Sequence, residues 1–487
     1  MKTHWINGEF VESASRETFP VINPATEEVV DHVARGHATD VDRAVDAAYT
    51  AQRDWKFVPG IEKAERMHEF ARRLRDRKEE IAILLTREGG KPLIENQDEV
   101  EWVAACFDYY AEIGRDYKGK VIAPVFRHQL NFTVKEPYGV VACIVPWNYP
   151  LLLMSWKVAA AVASGNTVVI KPSEYTPLST LALAEMFEAF PRGVVNIIAG
   201  FGPEAGEALV KHPRVSKIAF TGGVDSGRKI AVLAAEQLKK LSLELSGNDP
   251  LIVCDDVDLD VAVRGAVWAC YLNMGQVCTS AERIYVFQSV AGKFIERFVD
   301  FTKSLRIGNP LGPDVDLGPM ISQAQRKKVE VKLERALQAG ARLLEGGKIP
   351  PHLKQGFYYE PTIITDVNHT MEIMRSETFG PIAPIMPVKG IEEAVKLADD
   401  SDYGLGASIY TNNMEYALYA MENVRAGTFW INDPLTDNDA GPFGGMRLSG
   451  LNRELGAEGL DNFRDVKHVH LDYKVEAKSY WYPYKWR

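Results

Sequence analysis

The chain has 487 residues, 46% of them hydrophobic and 25% charged, with a formal net charge of -10 and a pI near 5.6. That length is too great for one hydrophobic core and suits roughly two or three domains of an ordinary globular protein. The acidic balance gives no electrostatic footprint for nucleic acid or an anionic membrane, so a small-molecule partner is expected.

Met1-Lys2-Thr3-His4-Trp5 runs directly into strand-like sequence, without the apolar stretch and cleavage site of a signal peptide. The most apolar run, Leu151 to Ala163, is interrupted by Lys157 and is too short to span a bilayer. A cytoplasmic location is therefore expected. The cysteines, Cys106, Cys143, Cys254, Cys270 and Cys278, are odd in number and form no CxxC pair. Neither a disulfide framework nor a metal site follows from them, and the thiols are read as reduced.

The segment Gly119 to Lys135 reads as extended and antiparallel. From residue 138 the β-branched runs YGVVACIV, TVVIK, VVNIIAG, SKIAF and LSLEL alternate with helical stretches, which predicts right-handed crossovers and a parallel, doubly wound sheet. After Gly247 the alternation restarts: PLIVCDD, a helix over Leu259 to Asn273, then RIYVFQ, PTIITDV, APIMPV, ASIYT and GTFWIN predict a second α/β domain. The tail from Val466 is again extended, and it and the Gly119 segment are expected to pair in space. The expected domains are 1–118 with 138–247 for a nucleotide, 248–465 for catalysis, and 119–137 with 466–487 as an antiparallel element and tail.

Several short patterns carry chemistry. GFGPEA, from Gly200, fits a dinucleotide fingerprint or an ordinary strand-to-helix turn. FTGGVDSG would bring Gly222 and Gly223 to a helix N-terminus suited to a pyrophosphate, or is simply a helix start. Lys171 and Glu174, in KPSE at a strand end, suit ribose hydroxyls, against the alternative of an exposed ion pair. Glu244 in LELSG reads as a general base or as a solvated cap. Cys278 in GQVCTSAE lies in a glycine-containing turn, as a nucleophile or a satisfied structural thiol. No histidine sits in a protease-type context and there is no HExxH.

Taken in order, PWNYP, KPSEYTP, FTGGVDSG, LELSG, GQVCTS, ETFGP and PFGGMRLSG resemble the aldehyde dehydrogenase superfamily along almost the whole chain. The resemblance implies an α/β fold with a Rossmann-type cofactor domain, an α/β catalytic domain and a small antiparallel oligomerisation element. It implies that Cys278 attacks an aldehyde, that Asn148 and the Cys278 N–H form the oxyanion hole, and that Glu244 activates the water that hydrolyses the thioester. Glu454 matches a position on the proton path.

Trp147, Lys171, Glu174, Gly222, Gly223, Glu377 and Phe379 match the cofactor contacts. The carboxylate of Glu174 favours NAD, with NADP as the alternative. Tyr149, Trp156 and the loop after Trp430-Ile431-Asn432 are expected to line the aldehyde entrance. GQVCTSAERIYV is similar to lactaldehyde and glycolaldehyde dehydrogenases, and betaine and amino aldehydes stay open. A homodimer or homotetramer is implied, as is no metal. An acylating semialdehyde enzyme and a non-enzymatic binding protein are the alternatives.

Gly223, Ser246 and Arg447 depart from the commoner Ser, Gly and Lys of the family. The aromatic-rich tail SYWYPYKWR, residues 479–487, is expected to pack on a neighbouring subunit or across a channel mouth.

Overall fold

The structure is a computed structural model that describes residues 2–116 and 118–484. Lys485, Trp486 and Arg487 of the aromatic tail lie outside the described residues.

The first half is organised by an eight-stranded sheet. Its parallel centre runs Lys240–Glu244, Val215–Thr221, Val140–Ile144, Thr167–Lys171 and Val195–Ile197. The strands Val140–Ile144 and Thr167–Lys171 are buried along their whole length, which explains their unbroken apolar character: helices cover both faces. From Val140–Ile144 the chain winds first toward Val195–Ile197, then returns to add Val215–Thr221 on the other side. That reversal opens a crevice beyond the carboxyl ends of Ile144 and Thr221. His4–Ile6 and Gly450–Leu451 extend the sheet as antiparallel neighbours.

A seven-stranded sheet organises the second half. It is parallel from Thr362–Thr365 through Ile382–Val388, Ala281–Phe287, Asp249–Val253 and Gly406–Tyr410 to Thr428–Ile431, with Arg342–Glu345 antiparallel at one edge. The separated extended segments do meet: Arg464–Asp472 pairs antiparallel with Gln129–Pro137, which also pairs with Val121–Ile122. Among the described residues no helix is long and apolar enough to cross a membrane.

Two sequence expectations shift. The helix expected to reach Asn273 ends at Tyr271, because Asn273 (φ 47°) and Met274 (φ 59°) turn left-handed. GFGPEA forms a wide turn over Gly202–Gly206 that leads into the short Glu207–Lys211 helix; its Glu204 pairs with Arg35. None of Gly200–Ala205 lines the crevice itself, and the Gly200 carbonyl accepts from Lys171.

Candidate active site

Two hollows converge between the sheets. One, of about 490 Å³, lies over the crevice and is lined by Trp147, Glu174, Gly222, Gly223, Glu377 and Phe379, among others. The second, of about 260 Å³, has walls of Trp102, Tyr149, Trp156, Trp268 and Phe443. Asn148 and Cys278 line both. A reagent entering each hollow would meet the other at these two side chains.

Local backbone chemistry sets this meeting point. Cys278 follows the left-handed pair Asn273-Met274 and Gly275 (φ 68°), which together swing the chain out of its helix. Gly247 passes so close that a Cβ there would lie 2.1 Å from the Cys278 carbonyl oxygen. Only glycine permits that approach of the Glu244 and Cys278 loops. The Asn148 amide donates from Nδ2 to the Gln276 carbonyl at 3.1 Å, and Asn273 Nδ2 donates back to the Asn148 carbonyl at 3.2 Å. These cross-links fix Asn148 against the loop that carries the cysteine.

Glu244 is the last residue of its strand and pairs in register with Thr221. It is buried, and neither carboxylate oxygen has a hydrogen-bond partner among the described atoms. Burial pushes its pKa up to about 7; Lys157 pulls it down, Glu454 pushes it up, and the Cys278 thiol and Thr221 hydroxyl are its polar neighbours. A carboxyl so held exchanges a proton near neutral pH. Cys278 is half-buried, and burial followed by the charge of Glu244 raises its thiol well above the ordinary range. The resting sulfur therefore keeps its proton until a base removes it.

Behind Glu244 lies a polar chain that ends at Glu454, which the resemblance pointed to, and runs through Lys157 and Thr221, which sequence reasoning missed. Lys157 is fully buried and donates from Nζ to Thr221 Oγ1 at 2.6 Å and to Glu454 Oε2 at 2.9 Å. Its only signal in the sequence was a single charge inside an apolar run. Asp437 and Asp439, not singled out in the sequence, face the aromatic hollow from the loop after the Thr428–Ile431 strand, the loop expected to line the entrance. Asp437 is open to the hollow yet surrounded by protein, and this desolvation, with Glu244 and Asp439 nearby, lifts its carboxyl to about 7.

The remaining predicted residues distribute around the crevice. Gly223 caps the Val224–Ala235 helix, and a Cβ there would meet nothing within 4 Å, so the departure to glycine leaves extra room. Gly222 is tighter, with the Phe220 ring 2.6 Å from a Cβ. Phe379 (φ 51°) stands edge-on to Trp147 at 5.3 Å. Glu377 Oε1 accepts from the Gly247 N–H at 3.0 Å; burial, then Glu282, pushes its pKa up to about 8.

Lys171 is placed differently from Glu174. Glu174 faces the crevice, whereas the buried Lys171 ammonium donates to the carbonyls of Pro172 and Gly200 at 2.7 and 2.9 Å and stays 3.9 Å from Glu174. The two still form a loose ion pair, buried at the lysine and part-exposed at the glutamate. Arg447 serves the backbone, donating to the carbonyls of Asp399 and Ser401. No described residue of the aromatic tail lines the hollow of its own chain; Tyr480, Trp481, Tyr482 and Tyr484 are exposed.

An open helix N-terminus, a side-chain-free Gly223 and the Glu174 carboxylate facing the same crevice suit a dinucleotide. Comparison with known proteins agrees. The chain is 41% identical to aminoaldehyde dehydrogenase 1, peroxisomal, from Malus domestica, over 98% of this chain and 97% of that protein. It is also 41% identical to betaine aldehyde dehydrogenase 1 of Oryza sativa subsp. japonica, over 98% and 96%. The crystal structure of betaine aldehyde dehydrogenase from Staphylococcus aureus in complex with NAD+ superposes with a TM-score of 0.97 at 36% identity, over 99% of this chain and 97% of that one. Residues 10–469 match the aldehyde dehydrogenase family, and with this coverage the chain belongs to that family.

Proposed function

We propose that this NAD-dependent aldehyde dehydrogenase acts on small aldehydes carrying a positive charge, amino or quaternary ammonium, and converts them to carboxylic acids. The observation that carries the chemistry is that Cys278 and Asn148 are shared by the two hollows, with Glu244 beside the thiol. Glu244 takes the thiol proton and Cys278 Sγ adds to the carbonyl carbon, giving a thiohemiacetal. The Asn148 amide and the Cys278 backbone N–H hold the developing oxyanion. Bound NAD supplies the hydride acceptor. Glu244 then draws a proton from water, which attacks the thioester and frees the acid and the thiol. Between the two steps Thr221, Lys157 and Glu454 carry the thiol proton away from Glu244, and the proton it later takes from water returns to the departing Cys278 sulfur.

Trp147, Gly222, Gly223, Glu174, Glu377 and Phe379 hold the dinucleotide in this reading. The Glu174 carboxylate favours a ribose 2′-OH over a 2′-phosphate. Lys171 acts from beneath by fixing the loop.

The substrate class rests on the second hollow, where three tryptophans, Tyr149 and Phe443 surround a space faced by Asp437 and Asp439. Aromatic faces and carboxylates attract a cation together. The names of the relatives, aminoaldehyde and betaine aldehyde dehydrogenases, support the same class. A panel pairing each cationic aldehyde with its neutral isostere, with NAD or NADP, tests the reading. A higher kcat/KM for the cationic members with NAD is expected; equal values for neutral isosteres would overturn the substrate class.

We also propose the domain division 1–118 with 138–247, 248–465, and 119–137 with 466–487, and a homodimer or homotetramer built through the third unit. The free edge of Arg464–Asp472 and the exposed Val121, Val125, Leu130, Val466 and Leu471 support this.

A further inference from the structure

The structure assigns Glu99, with its partner Lys91, a positioning role: the pair holds Asn148 in register with Cys278. This inference rests on the reading of Asn148 and Cys278 given above. Glu99 sits in the Leu93–Ile113 helix, distant in sequence from every motif of the site, and is fully buried.

The helix Pro150–Ala163 begins two residues after Asn148 and lacks a local cap. Tyr149 at its N-cap makes no side-chain cap bond, and Pro150 has no N–H to offer. Glu99 reaches across instead: its Oε1 accepts from the N–H groups of Leu151 and Leu152 at 3.0 and 3.1 Å. A buried carboxylate bonded to two N–H groups at a helix N-terminus is a strong, directional anchor. Its position fixes where the Trp147-Asn148-Tyr149 turn ends.

The other carboxylate oxygen of Glu99 pairs closely with the buried Lys91 ammonium. Lys91 Nζ lies 3.6 Å from the centre of the Tyr149 ring, so the residue after Asn148 is held from a second direction. Asn96 completes the frame, donating from Nδ2 to the Lys91 carbonyl at 3.2 Å and to Thr86 Oγ1 at 2.8 Å. From the cysteine loop, the Asn273 side chain ties the Asn148 and Gln276 carbonyls together. The segment that Glu99 anchors is thus cross-linked to the loop that carries Cys278.

Glu99 touches neither hollow, and an effect carried by Asn148 is told from one carried by Tyr149, a wall of the aromatic hollow, by its dependence on the Asn148 amide. The test is a double-mutant cycle on the single-turnover rate of reduced nicotinamide formation, per thiol titrated by alkylation, in the full-length enzyme with saturating NAD. Lys91→Met/Glu99→Gln removes both charges together, which avoids a lone buried ion. Glu99→Asp keeps the charge and shortens the reach by one methylene. Each is expected to lower the rate about 10- to 100-fold in the native background, and by less than about threefold in Asn148→Ala.

Equal losses in the two backgrounds would overturn the positioning role, as would a native rate per titrated thiol in Glu99→Asp. A loss of thermal stability with that rate unchanged would reduce the pair to a structural one. Should Asn148→Ala itself keep the native rate, the oxyanion reading fails, and the inference with it.

Discussion

Replacing Lys157 by methionine isolates the electrostatic control of Glu244. In the structure Lys157 Nζ is 2.6 Å from Thr221 Oγ1, and Thr221 is the register neighbour of Glu244. The ammonium therefore acts on the carboxylate over roughly 6 Å, and at an effective dielectric of about 20 the attraction is about 3 kcal/mol, or about 2 pKa units. Burial holds Glu244 at about 7 against this pull. Without the positive charge its carboxylate is less favoured, so the midpoint moves up from about 7.

The assay is the pH profile of kcat/KM, whose acidic limb reports the base in the free enzyme. That limb is expected to shift alkaline by one to two units in Lys157→Met, on the order of the Coulomb term. Lys157→Met/Glu454→Gln removes the opposing charge as well and is expected to return the midpoint toward 7. A single-variant profile that superposes on the native one, or shifts acid, would refute the reasoning.

The cation reading predicts that Asp437→Asn lowers kcat/KM for amino aldehydes about 5- to 10-fold and leaves neutral isosteres unchanged, as expected for one partly solvated charge; equal losses would count against it. With Asp437 titrating at about 7, the native preference for cations should strengthen as pH rises through neutrality. Stability gives a further check with a defined sign. Glu244 keeps its proton up to about 7 when folded but loses it near 4.5 when unfolded, so the folded state binds more protons in that window and loses stability as pH rises through it. Over the full interval this amounts to roughly 3 kcal/mol, and Glu244→Gln, which cannot ionise, should gain on the native protein between pH 5.5 and 8 in thermal unfolding. A pH-independent difference would contradict the placement of Glu244. Deleting Ser479–Arg487 is expected to lower assembly mass or thermal stability, since four described aromatics there are exposed in the single chain; unchanged assembly, stability and kinetics would remove the tail from the interface.

The strand runs were legible because parallel strands buried on both faces need continuous β-branched sequence, and VVACI and TVVIK supply it. Cys278, Asn148 and Glu244 were legible as candidates through the ordered motifs that resemble the family; alone, the motifs around Cys278 and Glu244 left structural readings open. Thr221 escaped notice because its role depends on being opposite Glu244, a relation created by sheet register alone. Lys157 looked like an interruption of an apolar helix, and only the fold shows that its charge is paired inside the protein. Glu99 and Lys91 gave no signal at all, since Glu99 sits in a polar-looking helix whose buried face appears only once Pro150–Ala163 packs on it, and Lys91 lies in the short link before that helix. The left-handed turn at Asn273-Met274 was equally hidden, because Asn only weakly favours a positive φ and Met gives no such signal.

The central claim is that oxidation proceeds through Cys278 and a thioester that Glu244 resolves. The most direct measurement is rapid-mixing detection of reduced nicotinamide in the native enzyme, Cys278→Ala and Glu244→Gln, each shown beforehand to bind NAD. The account predicts steady turnover in the native enzyme and no signal in Cys278→Ala. In Glu244→Gln it predicts a slowed burst of about one equivalent per site, followed by a stall as the thioester accumulates. Native steady turnover in Cys278→Ala, or in Glu244→Gln without a stall, would contradict it.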